Sequence, residues 1–401
     1  MTVKVLYVAS GHPSKPRAGM DVVVREHIAE LARDPRLEVE GVSVALVDKA
    51  GVDDCPPWHG VRVIPSDLST AEPGRLKSLK LRHLRSGRLM DGFGFASEQA
   101  KAELAALLAK DHDVIVVDHI HGFINLPILK LITSGRKIVF ISHDHAPKAV
   151  FDRRMVKTSP LSQVFIAAET AYCTLVEAAL TRRATRTVFI SSHDRDKYGW
   201  LLGKSGVALC PILVGEGGAP AEPRADLANR VVFIGSAAFF PNRAAIDWIV
   251  NVLALKLETI APELKISLVG SNVAKVFPSH GPNVEMCGFV PDAELKVLLA
   301  SCLCLLSPVV HGSGLKIKLL EAFSAAAPVV ATAESLRGFD FMGIAPQVEL
   351  DRPEAVARTL AELYRDGDRR ATLRRDLART WGDFVERRTG ALADLVVEAV
   401  G

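Results

Sequence analysis

The stretch LCLLSPVVHGSGLKIKLLEAFSAAAPVVAT, residues 303–332, sets the reading of the whole chain. Its apolar run 303–310 reads as a buried strand. The turn Gly312-Ser313-Gly314 follows, and then a helix start carrying Lys316, Lys318 and Glu321. Pro328 ends the small-residue tail 325–327, and Val329-Val330 open a second strand. Strand, glycine turn, helix and strand make a βαβ unit, which belongs to a parallel sheet. Such a turn lets bare backbone N–H groups come close to an anion, and the helix N-terminus favours negative charge there.

Working outward, short β-branched runs alternate with longer amphipathic segments. In the first half, strands are expected at 4–9, 39–47, 61–64, 114–117, 137–141, 187–190 and 207–209, with helices at 22–33, 97–110 and 161–182. The alternation pauses at 211–230, PILVGEGGAPAEPRADLANR, whose Gly, Pro and Ala content marks a linker. It restarts with strands at 231–235, 265–269, 284–287, 303–306, 329–331 and 347–350. A helix is expected at 243–257, with Asn242 as its N-cap. The pattern predicts an α/β protein of two Rossmann-like domains, each with a parallel sheet covered on both faces. The boundaries expected are 1–212, a linker at 213–224, a second domain at 225–375 and a final helical segment at 376–401, for which the sequence leaves packing on either domain open. Open α/β sheets bind ligands beyond the carboxyl ends of their strands, so the loops there, facing a central cleft, are where function is expected.

Composition narrows the classes. With 49% hydrophobic and 24% charged residues the 401-residue chain is ordinary for a soluble globular protein, and a net charge of +3 is too small to argue for nucleic acid. The six cysteines are scattered, with no CxxC pair or Cys/His ligand spacing, so reduced thiols are expected and structural zinc is not. The N-terminal residues enter a strand directly, without the basic and apolar regions of a signal peptide. The longest apolar stretch, 297–310, is interrupted and falls short of the ~18–20 residues of a membrane span. A cytoplasmic protein is expected. The run RLKSLKLRHLRSGR, from Arg75 to Arg88, has six Lys/Arg and no acid. It reads either as a solvated helix or as a peripheral contact with an anionic lipid surface or acceptor.

Several strand-end loops carry candidate chemistry. Residues 10–21, SGHPSKPRAGMD, form a glycine-containing loop with Gly19 before the first helix. This is a place where phosphate or sugar can approach, although the GxGxxG fingerprint is missing. The 114–117 strand runs into Asp118-His119-Ile120-His121-Gly122, and the 137–141 strand into Ser142-His143-Asp144-His145. Two histidine clusters on neighbouring strand ends point to substrate contact. Imidazole type alone would also allow zinc on His119, His121, His143 and His145, but strand-end imidazoles more often bond sugar, phosphate or a neighbouring Asp. No GxSxG elbow supports a serine hydrolase.

In the second half four segments stand in order: FIGSAAFFPNRAAIDWI, SLVG, CGFVPDAEL and HGSGLKIKLLEAFSAAAPVVAT. Together they resemble family 4 glycosyltransferases of the GT-B fold, in the variant with Pro-Asn after the first strand of the nucleotide domain. DVIVVDHIHG, FISHDH and VFISSHDRD fall in the matching places of the first half. The resemblance implies a retaining glycosyltransferase that uses a nucleotide diphosphate sugar, UDP- or GDP-linked, and needs no cofactor or metal. The donor would bind mainly the second domain and a glycan, lipid-linked or small-molecule acceptor mainly the first. The resemblance assigns Lys318 to the diphosphate and Glu321 to the ribose. Gly312, Ser313, Gly314 and Leu315 would approach sugar and phosphates through backbone N–H groups, and the base would lie near Phe289 and Val290. The spacing agrees: Lys318 and Glu321 share a helix face, and Glu321 lies ~10 Å along the axis from Gly314. Gly235, Asn242, Arg243 and Lys316 complete the expected donor set, with Gly19 from the first domain. His119 is the first choice for contact with the donor sugar, with Asp118 and His121 adjacent, and His143 is the second. Two departures stand out. Ser313 occupies the position where many members carry a Glu, eight residues before the ribose-binding Glu. The loop SAAFFPNR lacks the usual Arg and Lys pair for the diphosphate, which leaves Arg243 or Lys316 as the substitute. Two other readings compete: a GT-B sugar-nucleotide epimerase or phosphorylase, and a non-catalytic nucleotide-sugar-binding scaffold subunit.

Overall fold

The computed structural model describes residues 2–16, 18–45, 55–66, 98–119, 135–152, 154, 159–197, 206–212, 222–278, 280–312, 314–339, 343 and 345–401. His121, Ser313, the run from Arg75 to Arg88 and residues 213–221 of the expected linker lie outside them. The chain divides into two compact units. One is Met1–Ile212 together with Arg388–Gly401, and the other is Leu213–Arg387.

The first unit is built on seven parallel strands: β1 (Val3–Ser10), β2 (Leu37–Ala45), β3 (Val61–Pro65), β4 (Val114–Asp118), β5 (Lys137–Ser142), β6 (Arg186–Phe189) and β7 (Gly206–Ala208). Their order is β3-β2-β1-β4-β5-β6-β7. β4 is buried along its whole length and β1 along all but its first two residues. Strands buried on both faces carry continuous apolar runs, which is how these segments read in the sequence. The order reverses between β1 and β4, where Ala9 pairs with Asp118, and Asp118 pairs in turn with Ile141 of β5. The carboxyl ends of β1, β4 and β5 therefore lie side by side at a topological switch point, the usual ligand position in such sheets.

The C-terminal segment differs from the expected single helix at 376–401. A helix runs unbroken from Gly367 to Arg388, and a second spans Ala391–Val400. Gly390, at φ 79°, makes the left-handed turn between them. The short helix packs on β4, β5 and the Gly19–Arg33 helix. Buried Arg388 anchors it, with Nε donating to the Cys210 carbonyl at 2.8 Å and Nη1 pairing with Glu30 at 3.0 Å. Glu30 also accepts from the Leu392 N–H.

The second unit has five parallel strands: β8 (Arg230–Ile234), β9 (Lys265–Val269), β10 (Val284–Gly288), β11 (Cys304–Ser307) and β12 (Val329–Ala331). Their order is β10-β9-β8-β11-β12, so the switch point falls between β8 and β11. β11 runs one residue past the expected 306 and stops at Ser307, before the apolar run ends at 310, because Pro308 has no N–H to continue the ladder. The expected strand at 347–350 is reduced to one bridge, Ala331 to Gln347, and the Leu350 carbonyl is taken by Trp248 Nε1 at 3.1 Å. The helix expected at 243–257 begins earlier, at Phe240, with Pro241 in its first turn where a missing N–H costs nothing. It passes through a π-turn at Ile249–Leu253 before the Ala254–Ile260 helix.

Candidate active site

At the second unit's switch point, the loop after β8 meets the glycine turn after β11. Gly235 follows β8, and a Cβ there would lie 2.6 Å from the Asn242 carboxamide, so only glycine lets that side chain pack against the loop. Asn242 is thus not an N-cap. It sits inside the first helical turn, where Nδ2 donates to the Ser236 carbonyl at 3.3 Å and Oδ1 accepts from Lys318 Nζ at 2.9 Å. The Lys318 ammonium also lies 4.1 Å from the centre of the Phe233 ring. The side chain keeps partial exposure, but burial of the ammonium, helped by the nearby charge of Lys316, pushes its pKa down to about 7, and Glu321 offsets only part of this. A lysine held this way is aimed, and an arriving anion favours its charged form.

The turn itself is shaped by Gly312 at φ 113° and Gly314 at φ 66°. The Leu315 side chain is buried and pins the turn to the core. Lys316 is the cap residue rather than part of the Ile317–Ser324 helix, and its Nζ donates to the Gly314 carbonyl at 3.1 Å. Lys318 is the second residue of that helix and Glu321 stands one turn further on, partly exposed. Arg337 was not anticipated. It donates to the Gly312 carbonyl at 3.2 Å and pairs with Glu334 at 2.7 Å, bracing the turn from behind. Arg243 is exposed, and its Nε donates to the Ala237 carbonyl at 3.0 Å. Phe289 projects with 69% exposure beside partly buried Val290, a flat apolar surface of the kind a base can lie on.

At the first unit's switch point, the strand-end histidines surround a buried carboxylate. Asp118 has no exposure and accepts three hydrogen bonds: from the Tyr7 hydroxyl on β1, from His27 Nδ1 at 3.0 Å, and from His143 Nε2. Burial opposes its ionisation, but the charge and hydrogen bonds of His143 and His27 outweigh it, and its carboxyl stays far below the usual range. Burial, reinforced by the charge of Asp118, pushes the Tyr7 phenol well up. Asp118 was expected at the catalytic centre among the substrate-facing groups. With no exposure and both oxygens engaged, its carboxylate faces the Tyr7 hydroxyl and the His27 and His143 rings rather than an open surface. His119 sits beside it at φ 67°, its Nε2 3.3 Å from Asp144, its ring centre 5.0 Å from that of His143. His145 faces Glu177 at 3.5 Å, and burial pushes its pKa down to about 4. Gly19 opens the Gly19–Arg33 helix, whose start is capped by Asp21 accepting from the His12 and Ala18 N–H groups.

His27, Asp118 and His143 also form a grouping whose ligand atoms lie within 4.8 Å of one another. Each imidazole takes a different oxygen of the carboxylate. That is a hydrogen-bonding pattern, whereas a metal needs its donors aimed at one point. Tyr7 and His27 lie far from the HDH and HIH clusters in sequence, and only the strand order reveals them.

The model of the family described as glycosyl transferases group 1 matches residues 228–366, the part of the chain that holds the glycine turn, Lys318 and Glu321. A search of curated proteins finds no match. Solved structures align over nearly the whole chain at low identity. The sucrose-phosphate synthase of Thermosynechococcus elongatus is 16% identical, covering 99% of this chain and 97% of its own, with a TM-score of 0.70. The Anabaena HepE protein, solved in complex with UDP and glucose, is 13% identical, with 99% and 98% covered and a TM-score of 0.61. The glycosyltransferase of kitacinnamycin is 16% identical, with 100% and 99% covered and a TM-score of 0.57. Two parallel α/β sheets with this strand order are those of the GT-B fold. The family match lies within the second unit, so that unit is similar to the group 1 glycosyl transferases, and the chain shares the GT-B fold.

Proposed function

We propose that the protein is a retaining transferase that takes a sugar from a UDP- or GDP-linked donor and passes it to a glycan, lipid-linked or small-molecule acceptor. The observation that carries the donor assignment is Lys318, a partly buried ammonium held on Asn242 at the start of a helix behind a glycine turn. Departure of a nucleotide diphosphate builds negative charge on the leaving oxygens. Lys318 and the first N–H groups of the Ile317–Ser324 helix meet that charge from fixed positions, without a metal. Bound phosphate favours the charged form of Lys318, and their attraction grows as negative charge builds on the leaving oxygens. Glu321 accepts from the ribose hydroxyls. Phe289 and Val290 carry the base.

The strand-end histidines supply the polar contacts to the transferred sugar. His143 takes first place over His119 in this reading. Its Nε2 is locked on a buried carboxylate, which leaves Nδ1 to meet the sugar in a fixed orientation, the logic of an imidazole oriented by a third group. His119, bonded to Asp144, stands second. A cytoplasmic site of action, with peripheral contact at the inner face of the membrane through the Arg75 to Arg88 run, belongs to the same proposal and rests on the sequence alone. The test is release of free nucleotide diphosphate from a panel of UDP- and GDP-sugars, with and without candidate acceptors. Acceptor-dependent release supports transfer. Intact donor binding with no turnover on any acceptor would favour a non-catalytic binder.

A further inference from the structure

The Pro160–Arg183 helix of the first unit has a face that the transferase reading does not use. Val164, Ala168, Ala171 and Leu175 recur at helical spacing along one stripe about 16 Å long, with Phe165 beside it. All five are exposed, Val164 at 67%, Phe165 at 50% and Leu175 at 71%. The helix's two carboxylates, Glu169 and Glu177, are on the opposite side and buried. Its threonines hide their polarity, Thr170 donating back to the Ile166 carbonyl at 2.7 Å and Thr174 to the Thr170 carbonyl at 2.8 Å. The apolar stripe then runs into Arg182, seven residues beyond Leu175 on the same line, and Arg183, both exposed. At the other end lies exposed Phe151, with the Arg154 guanidinium 3.7 Å over its ring.

By length and composition residues 162–183 could cross a bilayer, a segment the sequence reading passed over. The buried face excludes that, since Ile166, Glu169, Cys173, Glu177 and Leu180 pack into the first unit. An apolar face without exposed carboxylates, bracketed by arginines, matches a surface that is hydrocarbon beneath and anionic above. We infer that this helix docks in the plane of an anionic membrane, seating Val164, Phe165 and Leu175 among the acyl chains and Arg154, Arg182 and Arg183 among the headgroups. This site is separate from the Arg75 to Arg88 run and does not depend on the donor assignment.

The experiment is co-sedimentation of the full chain with phosphatidylcholine vesicles, alone or mixed with phosphatidylglycerol. The wild type is expected to bind the mixed vesicles and to bind less as salt rises. Phe165→Gln with Leu175→Gln should weaken binding at least tenfold. Arg182→Gln with Arg183→Gln should lose about fivefold per arginine and flatten the salt dependence. Both pairs lie on the surface, so thermal melting and sugar transfer to a soluble acceptor should be unchanged. Three results would overturn the inference. The wild type could fail to bind mixed vesicles. Binding could be lost only when the cations from Arg75 to Arg88 are neutralised, with the helix variants unaffected. Or sedimentation in buffer could show self-association that Leu175→Gln abolishes, with no lipid binding, which would make the stripe a contact between copies of this chain.

Discussion

Lys318→Met separates what the site costs from what it does. The ammonium's pKa falls from 10.5 to about 7 in the folded protein. Between those values the unfolded chain holds a proton that the folded chain does not, so stability rises with pH across this window and is lowest below 7. At about 1.4 kcal/mol per pH unit the penalty below pH 7 reaches roughly 5 kcal/mol. Partial exposure of the side chain lets water recover some of it. Methionine keeps the stem and the contact with Phe233 but loses the bond to Asn242, at a cost of about 1–2 kcal/mol. A net gain of about 1–3 kcal/mol at pH 6.5 is expected, which is about 3–9 °C in the melting of a unit this size. The same change should weaken UDP or GDP binding by about 10- to 100-fold, since a charged bond to phosphate is worth about 1.5–3 kcal/mol. Thermal melting at pH 6.5 with and without nucleotide reads both effects. A lower melting temperature, or an undiminished shift on adding nucleotide, would refute the reasoning.

Glu321→Ala should weaken nucleotide binding about tenfold or more with melting unchanged, measured by calorimetry; equal affinity would remove the ribose assignment. His143→Ala should lower turnover more than donor affinity, and His119→Ala should do so by less; the reverse order in steady-state kinetics would return first place to His119. Asp118→Asn should cost about 3–5 kcal/mol, because two imidazoles and a phenol then face a neutral group in a buried site. The wild-type carboxylate has a depressed pKa, so its contribution is present above about pH 4 and is lost as pH falls further. Acid unfolding of the wild type below pH 4, absent as a separate step in Asp118→Asn, checks this.

The geometry of the second unit's glycine turn was legible in the sequence, for a physical reason. Gly312, Gly314, Lys318 and Glu321 fall within one βαβ unit, so chain spacing nearly determines their geometry. Asn242 was legible as important but not in its role. Proline in the first turn moves the helix start to Phe240, which converts a presumed cap into the acceptor for Lys318. The Asp118 hub was only half visible. His143 was evident at a strand end, but Tyr7 and His27 come from 111 and 91 residues away and join it only because β1 lies between β2 and β4. Arg337 escaped notice because no local pattern shows that an arginine after β12 will return to the carbonyl of Gly312. The exposed stripe on the Pro160–Arg183 helix was hidden for a related reason. Apolar residues there read as core, and only packing shows which of them face outward.

The most direct measurement of the central claim is a crystal structure of the protein soaked with UDP. The account predicts phosphate oxygens within hydrogen-bonding distance of Lys318 Nζ and of the N–H groups that open the Ile317–Ser324 helix, with the ribose hydroxyls on Glu321 and the base against Phe289. Nucleotide bound elsewhere, or bound here with its ribose turned away from Glu321, would contradict it.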